Sequence, residues 1–301
     1  MQKKLLVIGG SYFIGRVFCL LASRLGEYDL TVVNRGKYKL NKDNITEHIC
    51  DRHDIDALRK IVEGNTYDAI IDFCAYLPGD CADVTEVLHG HIRQYIEISS
   101  CAIYAPSDLP RDENSTLETK LPENNAELYS YNKILLESEL REACGLYGLP
   151  YTILRPSFVY GPFNYAPRES YYFKLLLANE PIPIPVDSVS QFQFIFVKDV
   201  ATAVVNSISN ELAYDNSYIL AAPEKITYSV WNDFLLSLGT SFTTEDISVR
   251  QVLEQNVPLP FPLDQNELFN GAKAERELAL AYTPFNTGMS ETFEVYRKAF
   301  G

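Results

Sequence analysis

The sequence predicts an α/β protein built on a doubly wound parallel sheet, with a smaller C-terminal lobe. Through the first half of the chain, short apolar runs alternate with helical patterns, an order that gives parallel strands in one sheet with helices on its faces. From Pro156 onward, six prolines fall within thirty residues, a composition that favours turns and extended segments over long helices. The 301 residues, 47% of them hydrophobic, can fill a large core.

A glycine-rich turn joins the first predicted strand to the first helix. The apolar run Leu5 to Ile8 ends at two glycines, and a third glycine lies where a helical pattern begins. Such a turn leaves backbone N–H groups and the positive end of a helix facing outward, where a pyrophosphate can bind. The alternative is that a tight turn simply requires glycine. We expect a dinucleotide cradle formed by Gly9, Gly10, Ser11, Tyr12, Phe13, Ile14 and Gly15.

Apolar periodicity places the remaining elements. Strands are predicted at residues 5–8, 30–33, 45–50, 68–75, 95–99, 151–154, 192–197 and 217–220. Helices are predicted from Ile14, over 55–62, from about 78 to 94, over 127–145, from Asp199, around Trp231 and over 272–279. We assign residues 1–155 and 191–222 to a dinucleotide-binding domain of the Rossmann type, and residues 156–190 and 223–301 to a substrate lobe.

The ends of the second and third strands bear on the choice of dinucleotide. An acid at the second strand end would accept a hydrogen bond from the ribose 2'-hydroxyl, whereas a basic residue accommodates a 2'-phosphate. The chain has Asn34 and Arg35 there and no acid, which favours NADP over NAD unless Arg35 and Lys37 are simply solvated. Asp51, at the third strand end, could accept from the adenine amino group or cap the next helix.

Tyr129 and Lys133 lie four residues apart in one predicted helix, so both project from one face. A nearby ammonium favours a phenolate and helps a tyrosine to exchange a proton with a substrate hydroxyl. Ser100 follows a strand, where its hydroxyl could hold the substrate oxygen while hydride moves to or from a nicotinamide. A chance Tyr-x-x-x-Lys spacing is the alternative in a chain with 20 tyrosines. The order of these residues after a glycine cradle favours catalysis.

Five motifs follow one another along nearly the whole chain. They are Gly9-Gly10-Ser11-Tyr12-Phe13-Ile14-Gly15, Ser99-Ser100-Cys101-Ala102-Ile103-Tyr104, Tyr129 with Lys133, Leu154-Arg155-Pro156 with Val159-Tyr160-Gly161-Pro162, and Phe194-Ile195-Phe196-Val197-Lys198-Asp199-Val200-Ala201. In this order they resemble the extended short-chain dehydrogenase/reductases grouped as NAD-dependent epimerase/dehydratases. The stretches Asn34-Arg35-Gly36, Asp51-Arg52-His53-Asp54 and Ala75-Tyr76 are similar to an atypical branch that includes the chloroplast stem-loop-binding proteins.

The residue patterns and the resemblance together imply roles for individual residues. By the resemblance, Ser100, Tyr129 and Lys133 take the catalytic positions. The expected cofactor contacts are Gly9, Gly10, Ser11, Tyr12, Phe13, Ile14, Gly15, Asn34, Arg35, Asp51, Arg52, Ala75, Tyr129, Lys133 and Pro156. Arg168 is expected to meet a phosphate or carboxylate of the substrate, the alternative being an ion pair with Glu169 or another acid.

Three departures from the family pattern narrow the expected activity. Tyr12 stands where the family usually has its middle glycine, so a phenol could donate to the pyrophosphate in place of a close backbone approach. Cys101-Ala102 follow Ser100 where sugar-nucleotide dehydratases have Asp-Glu, which argues against dehydration by that route. Phe158 replaces an asparagine that is common in sugar-nucleotide epimerases, and the arginine that those enzymes have near Phe192 is missing. Because the two residues hold the diphosphate of the substrate, their absence weakens the case for a nucleotide-sugar substrate.

Composition limits the partners. The formal charge of −14 and the pI of about 4.8 make nucleic acid an unfavourable partner. The six cysteines are scattered without a Cys-x-x-Cys pair, which predicts buried reduced thiols. Of the four histidines only His89 and His91 are close together, and they lack further ligands at suitable spacing, so we expect no metal site. The sequence contains no apolar run of membrane-spanning length, so we expect a cytoplasmic protein that binds a small-molecule substrate. A homodimer is compatible with the sequence, which leaves the oligomeric state open.

The sequence thus supports two classes of function. The first is an NAD(P)-dependent oxidoreductase or epimerase that acts on a carbinol of a sugar or sugar-nucleotide-like substrate, with Tyr129 as the acid or base. The second is an RNA-binding or dinucleotide-sensing protein on the same fold without turnover, in line with the stem-loop-binding resemblance.

Overall fold

The computed structural model describes residues 2–239 and 241–300. Its strands are β1 (Lys3–Ile8), β2 (Tyr28–Asn34), β3 (Ile45–Ile49), β4 (Ala69–Asp72), β5 (Tyr95–Ile98), β6 (Tyr151–Pro156), β7 (Phe158–Tyr160), β8 (Ile182–Pro185), β9 (Phe194–Phe196), β10 (Asn216–Leu220) and β11 (Thr244–Ile247). Its α-helices are α1 (Phe13–Leu25), α2 (Ile55–Val62), α3 (Asp80–Leu88), α4 (Asn125–Tyr147), α5 (Glu169–Ala178), α6 (Val197–Ser207), α7 (Tyr228–Ser237), α8 (Val249–Gln255), α9 (Ala272–Glu277) and α10 (Phe285–Phe300).

Seven strands form a central sheet in the order β10-β6-β5-β4-β1-β2-β3, and every pair in it is parallel. The doubly wound parallel α/β fold predicted from the sequence is confirmed. The direction of strand order reverses beside β1, which pairs with β2 on one side and β4 on the other. In doubly wound sheets, the carboxyl ends of the strands at such a reversal leave a crevice for a ligand.

Alternate residues of β1 pack on opposite faces of the sheet, as the twofold period of a strand requires. Leu5 and Val7 belong to a core that includes α1 and α6, whereas Leu6 and Ile8 belong to a core that includes α2, α3 and α4. All four side chains are at most 1% exposed. Helices therefore cover both faces, and the crevice at the carboxyl ends of the strands is the natural ligand site.

The predicted helices differ from the structure mainly at their ends. The interval 55–62 is reproduced by α2, whereas α3 ends at Leu88 and not near Gln94. The long helix α4 starts after Asn124, whose side chain accepts from the first backbone N–H groups, and it stops at the left-handed Gly148. Gly145, where the sequence predicts the end, lies inside that helix.

The second half of the chain contains more helix than its prolines suggest. The ten residues of α5 lie between Pro167 and Pro181, so the prolines bound the helix without interrupting it. The sequence pattern also missed α10. Two small parallel sheets complete this half, β8 with β11 and β7 with β9. The pairing of β7 with β9 joins residues assigned to different domains, since β7 falls in the predicted substrate lobe and β9 in the predicted dinucleotide-binding domain. The division at residues 155 and 191 stays a prediction.

Candidate active site

Two adjoining cavities open at the carboxyl edge of the central sheet. One, of about 390 Å³, lies over the glycine turn and reaches the ends of β2 and β3; we call it the glycine-turn cavity. The other, of about 480 Å³, lies between Tyr129 and the segment after β6; we call it the Tyr129 cavity. Both are lined by Phe13, Ile14, Phe73, Tyr76 and Tyr165. The shared wall makes the two cavities parts of one groove.

The glycine turn is tight enough to require glycine. Gly9 has φ +85°, a left-handed value, and a Cβ there would lie 2.9 Å from the Cys74 sulfur. A Cβ on Gly15 would collide with the backbone oxygen of Gly9, so α1 can approach the strand end only without one. Gly10 lines neither cavity, and a Cβ there would lie 2.7 Å from the Cys19 sulfur. Gly9 and Gly15 therefore shape the turn, while Gly10 permits its packing.

The start of α1 can receive an anion. Tyr12 is the N-cap residue, and in the described part of the chain its side chain makes no capping hydrogen bond. The first turn of the helix contains no acidic residue. Uncapped N–H groups at the positive end of a helix favour negative charge. Phe13, the first helical residue, has φ +35°, a left-handed value that side-chain-bearing residues seldom adopt. Such strain is characteristic of functional turns.

Tyr12, at the start of this turn, forms part of a stack of three tyrosines. Its ring lies 5.2 Å from Tyr38 with 8° between the planes, and 4.9 Å from Tyr165 with 21°. Tyr165 also meets Phe13 edge-on at 5.9 Å. We call Tyr12, Tyr38 and Tyr165 the tyrosine stack; it joins the glycine turn, the loop after β2 and the loop before α5.

Two basic side chains line the far end of the glycine-turn cavity. Arg35 and Lys37 both face it, and neither forms an ion pair with the described residues. Asn34 accepts from the Gly36 backbone N–H at 2.7 Å and donates to Glu47 at 3.3 Å. Glu47, which belongs to β3, is thus engaged by Asn34 and does not line the cavity, and the charged side chains that follow β2 into the cavity are basic.

Asp51 lies at the opposite wall of that end. It accepts from the backbone N–H of His53 at 3.0 Å, and the same oxygen lies 3.0 Å from the His53 ring Nδ1. The backbone hydrogen bond of His53 is the main cause that lowers the pKa of Asp51. The carboxylate is therefore ionised and faces the cavity as an acceptor. Asp54, and not Asp51, caps α2 by accepting from the Ala57 N–H at 3.0 Å.

Arg52 lines the cavity, but its guanidinium is engaged within the protein. It donates to the Asp72 carboxylate at 2.9 Å and to the Asp80 backbone oxygen at 2.6 Å. Asp72 is fully buried and also accepts from Tyr95 at 2.7 Å. A buried charge needs such partners. Arg52 is therefore a structural part of the wall. Ala75 is fully buried and lines neither cavity, whereas Tyr76 lines both.

The three expected catalytic residues line the Tyr129 cavity together. Ser100 begins a short 3-10 helix, and its oxygen accepts from the Ala102 N–H at 3.1 Å, which leaves the hydroxyl proton free to donate. Tyr129 is 38% exposed at the cavity wall. The Tyr76 ring is near both Tyr129 and Lys133: its centroid lies 6.5 Å from that of Tyr129 and 5.5 Å from the Lys133 Nζ.

Lys133 points more deeply into the protein than the sequence suggests. The side chain is 1% exposed, and Nζ donates to the Ile98 backbone oxygen at 2.6 Å. The carboxylate of Glu97 lies 3.5 Å from Nζ. Burial lowers the pKa of Lys133, but Glu97 and then Tyr129 outweigh burial and leave that pKa raised. The ammonium is charged and is held at the buried side of the cavity wall.

The outer wall of the Tyr129 cavity carries one cation and one carboxylate. Arg168 donates to the Val159 backbone oxygen at 3.1 Å and lies over the Phe158 ring at 5.3 Å. Within residues 2–239 and 241–300 it has no acidic partner at ion-pair distance. Burial lowers the pKa of Arg168. Glu169, the alternative partner expected from the sequence, instead accepts from Gly161 at 3.2 Å and from Asn164 at 3.0 Å.

On the same wall, Glu267 faces the cavity and pairs with Arg111 at 2.9 Å. Glu267, Tyr76, Tyr165 and Glu97 were not identified from the sequence. Tyr76 had a weak signal, because its neighbour Ala75 belongs to a motif. The other three have none, since only the folded chain brings them to the site.

The described residues include neither a group of three or more side chains suited to holding a metal ion nor a helix long and apolar enough to cross a membrane. Among the expected site residues, those that line the groove are Gly9, Ser11, Tyr12, Phe13, Ile14, Gly15, Asn34, Arg35, Asp51, Arg52, Ser100, Tyr129, Lys133, Pro156 and Arg168. Gly10 and Ala75 line neither cavity.

Solved structures share this fold. UDP-glucuronic acid 4-epimerase from Bacillus cereus, in complex with UDP-glucuronic acid and NAD, superposes with a TM-score of 0.80 at 16% identity, covering 99% of this chain and 100% of that one. dTDP-glucose 4,6-dehydratase from Bacillus anthracis, in complex with NAD, gives a TM-score of 0.81 at 18% identity and covers 99% and 97% of the two chains. Both are distant enough in sequence that the likeness concerns the fold.

A relative in Arabidopsis thaliana, the chloroplast stem-loop binding protein of 41 kDa b, is 28% identical over 242 residues. The match covers 75% of this chain but only 61% of the relative's length. The model of the NAD dependent epimerase/dehydratase family matches residues 5–219, which include the glycine turn, Ser100, Tyr129 and Lys133. The resemblance noted in the sequence is confirmed. Because that match spans most of the chain and the fold agrees, the chain belongs to the NAD-dependent epimerase/dehydratase family.

Proposed function

We propose that this protein is an NAD(P)-dependent oxidoreductase or epimerase that acts on a carbinol of a sugar or sugar-nucleotide-like substrate. One observation carries the proposal: a cavity over an uncapped glycine turn continues into a cavity lined by Ser100, Tyr129 and Lys133. A dinucleotide in the first cavity would extend towards the second, where a hydroxyl-bearing substrate would meet the tyrosine.

The residues of the glycine-turn cavity fit a dinucleotide. The turn has no room for a Cβ at Gly9 or Gly15, and in the described part of the chain the start of α1, which lines the cavity, has no capping side chain. Arg35 and Lys37, both unpaired with described acids, favour a 2'-phosphate, so we propose NADP as the preferred form. When bound, the nicotinamide accepts or returns a hydride.

In this proposal the side chains of the Tyr129 cavity orient the substrate, exchange its proton and bind its anionic group. The Ser100 hydroxyl proton is free to donate to the substrate oxygen and orient it. Tyr129 removes or returns the proton of that oxygen, and the Lys133 ammonium below it stabilises the phenolate. Arg168, without an acidic partner among the described residues, binds an anionic group of the substrate. Cys101 and Ala102 have no acid or base suited to dehydration.

The test is the Tyr129→Phe variant. We expect turnover to be lost while dinucleotide affinity stays within about threefold, because the ring remains and only the proton-exchanging oxygen is removed. Turnover is measured on a panel of sugars and sugar nucleotides, by NAD(P)H fluorescence and by NMR of the products. Tyr131→Phe, two residues along the same helix and outside both cavities, is the matched control. Unchanged turnover in Tyr129→Phe would refute the mechanism.

The identity of the dinucleotide is tested separately. Mass spectrometry of whatever dinucleotide co-purifies distinguishes a tightly retained NAD, which suits an epimerase, from an empty protein that prefers NADPH, which suits a reductase. Arg35→Ala should reduce affinity for NADPH by about tenfold and leave that for NADH nearly unchanged. Equal losses for both forms would contradict the NADP preference.

A second function is raised by the name of the Arabidopsis relative, which describes stem-loop binding. The charge of −14 opposes RNA binding, because a negative field repels a phosphate backbone. A gel-shift titration at low salt separates the two functions: salt-dependent RNA binding at micromolar protein or tighter would favour the second. A homodimer, a cytoplasmic location and the division at residues 155 and 191 also stay predictions; light scattering tests the first.

A further inference from the structure

A carboxylate lies beneath the proposed catalytic site with almost nothing to stabilise it. Glu97 belongs to β5, and its side chain is fully buried. Neither of its two oxygens has a hydrogen-bond partner among the residues that the structure describes. The nearest cation is the Lys133 ammonium, whose Nζ lies 3.5 Å from Oε1 and is already bound to the Ile98 backbone oxygen at 2.6 Å.

Two other buried acids around the site are fully partnered. Asp72 accepts from Arg52 at 2.9 Å and from Tyr95 at 2.7 Å. Glu137 accepts a forked pair of hydrogen bonds from Arg155, at 2.9 and 2.6 Å. Buried charges in proteins are normally satisfied in this way, and one that is not carries a large desolvation cost. Glu97 thus stands out, and among the described residues its one cation at ion-pair distance is the lysine of the proposed catalytic set.

The surroundings of Glu97 make its ionisation sensitive to pH. Burial raises its pKa to about 7; Lys133 opposes this rise, and the negative charges of Glu137 and Asp72 reinforce it. The titratable and charged groups that face it are Lys133 and Glu137 on α4, Asp72 on β4 and Cys81 on α3. Glu137 is neutralised by Arg155 of β6, and Asp72 by Arg52.

We propose that Glu97 is a positioning residue for Lys133: ionised, it holds the ammonium at the depth of Ile98 and offsets its charge, and protonated, it frees that charge for the groove. The inference rests on the proposed function, because Lys133 acts there on Tyr129 and a bound dinucleotide. Glu97 itself lines neither cavity and touches no reactant. It acts only through the lysine, which lies between the carboxylate and the Tyr129 cavity.

The proposal predicts the direction of a pH effect. Below neutrality Glu97 is protonated, and the whole charge of Lys133 can support a hydrogen bond to a ribose oxygen. As pH rises through the ionisation of Glu97, the new negative charge offsets the ammonium, and dinucleotide affinity falls by roughly fivefold, the scale of part of a charge-assisted hydrogen bond. In Glu97→Gln no charge appears, so the affinity stays near its low-pH value.

The experiment is a fluorescence titration of the full chain with NADPH and with NADH at pH values from about 5.5 to 8.5. Glu97→Gln should flatten the pH dependence seen in the unmodified protein, while Glu97→Asp should restore it. Glu139→Gln is the matched control, because Glu139 is a partly buried acid of α4, the helix of Lys133, that accepts from the Gly79 N–H at 2.8 Å and does not pair with Lys133. That variant should keep the full pH dependence.

Thermal unfolding provides a measurement that needs no ligand. A carboxyl whose pKa is raised on folding binds more protons in the folded than in the unfolded state between the two pKa values. Stability therefore falls as pH rises from the usual range of a glutamate to about 7, and Glu97→Gln should remove that part of the fall in Tm. If Glu97→Gln keeps both the binding slope and the Tm slope, the role of Glu97 is refuted.

The two proposals fail differently. Dinucleotide binding with an unchanged slope in Glu97→Gln refutes the role of Glu97 alone. The absence of NADPH and NADH binding at every pH refutes the proposed function, and the inference about Glu97 with it.

Discussion

Replacing Tyr165 by alanine removes two aromatic contacts at the junction of the two cavities. Its ring stacks on Tyr12 at 4.9 Å and meets Phe13 edge-on at 5.9 Å. Tyr165 comes from the loop before α5, and the other two residues come from the glycine turn, so these contacts join opposite sides of the groove. We expect them to slow the departure of a bound dinucleotide, and Tyr165→Ala to accelerate it.

The size of the effect follows from the geometry. A stacked or edge-on aromatic pair contributes about 0.5–1.5 kcal/mol beyond the burial of its area, so the two pairs together contribute about 1–3 kcal/mol. Tyr165 is 59% exposed, which places its contribution in the lower half of that range. A loss of about 1–2 kcal/mol from the closed state corresponds to release that is roughly 5- to 30-fold faster.

The assay is stopped-flow displacement of NADPH by excess NADP+, followed by nucleotide fluorescence. Tyr165→Phe keeps the ring and should release the nucleotide at the unmodified rate. Tyr147→Ala is a control for loss of an exposed stacked tyrosine, because Tyr147 stacks on His89 at 3.8 Å and lines neither cavity. If Tyr165→Ala binds NADPH but releases it within twofold of the unmodified rate, the stack does not retain the dinucleotide.

Three further variants test other parts of the structure. Gly15→Ala places a Cβ against the Gly9 backbone oxygen and should lower the free energy of unfolding by about 1–3 kcal/mol and dinucleotide affinity by about tenfold. Urea unfolding measures the first and fluorescence titration the second, and two unchanged values would contradict the tight turn. Arg155→Met leaves buried Glu137 without its forked partner and should lower the free energy of unfolding, measured in urea, by about 3–5 kcal/mol. The double variant Arg155→Met with Glu137→Leu should restore most of that loss. Full stability of Arg155→Met alone would contradict this. Arg168→Met should raise KM for an anionic substrate by about tenfold and leave the Kd of the dinucleotide unchanged, and steady-state kinetics with an equal KM would remove Arg168 from the substrate site.

Local rules account for what could be predicted. The glycine turn followed from the conformational freedom of glycine, and Gly9 does adopt a left-handed φ of +85°. The shared position of Tyr129 and Lys133 followed from the helical period, and both line one cavity. Asn124 and Gly148 bound α4 through capping chemistry that neighbouring residues determine. Each of these features depends on residues close together in the chain.

Predictions that depended on distant contacts were less complete. Arg52 was expected at the cofactor, yet its guanidinium binds Asp72 and Asp80, which belong to another strand and helix. The motif that includes Ala75 led to the right segment, but the loop after β4 buries Ala75 and leaves Tyr76 in the groove. No pattern within β5 indicated that Glu97 would lie beside Lys133.

The sequence by itself determined the class of fold, the glycine turn and the order of the residues that mark the family, because periodicity, glycine geometry and helix spacing act over a few residues. Only the tertiary structure decided that Lys133 is drawn towards Glu97, that Arg168 meets no described acid, and that Tyr165 closes on Tyr12. Those relationships join segments far apart in the chain. Burial and packing set them, and neither can be read from neighbouring residues.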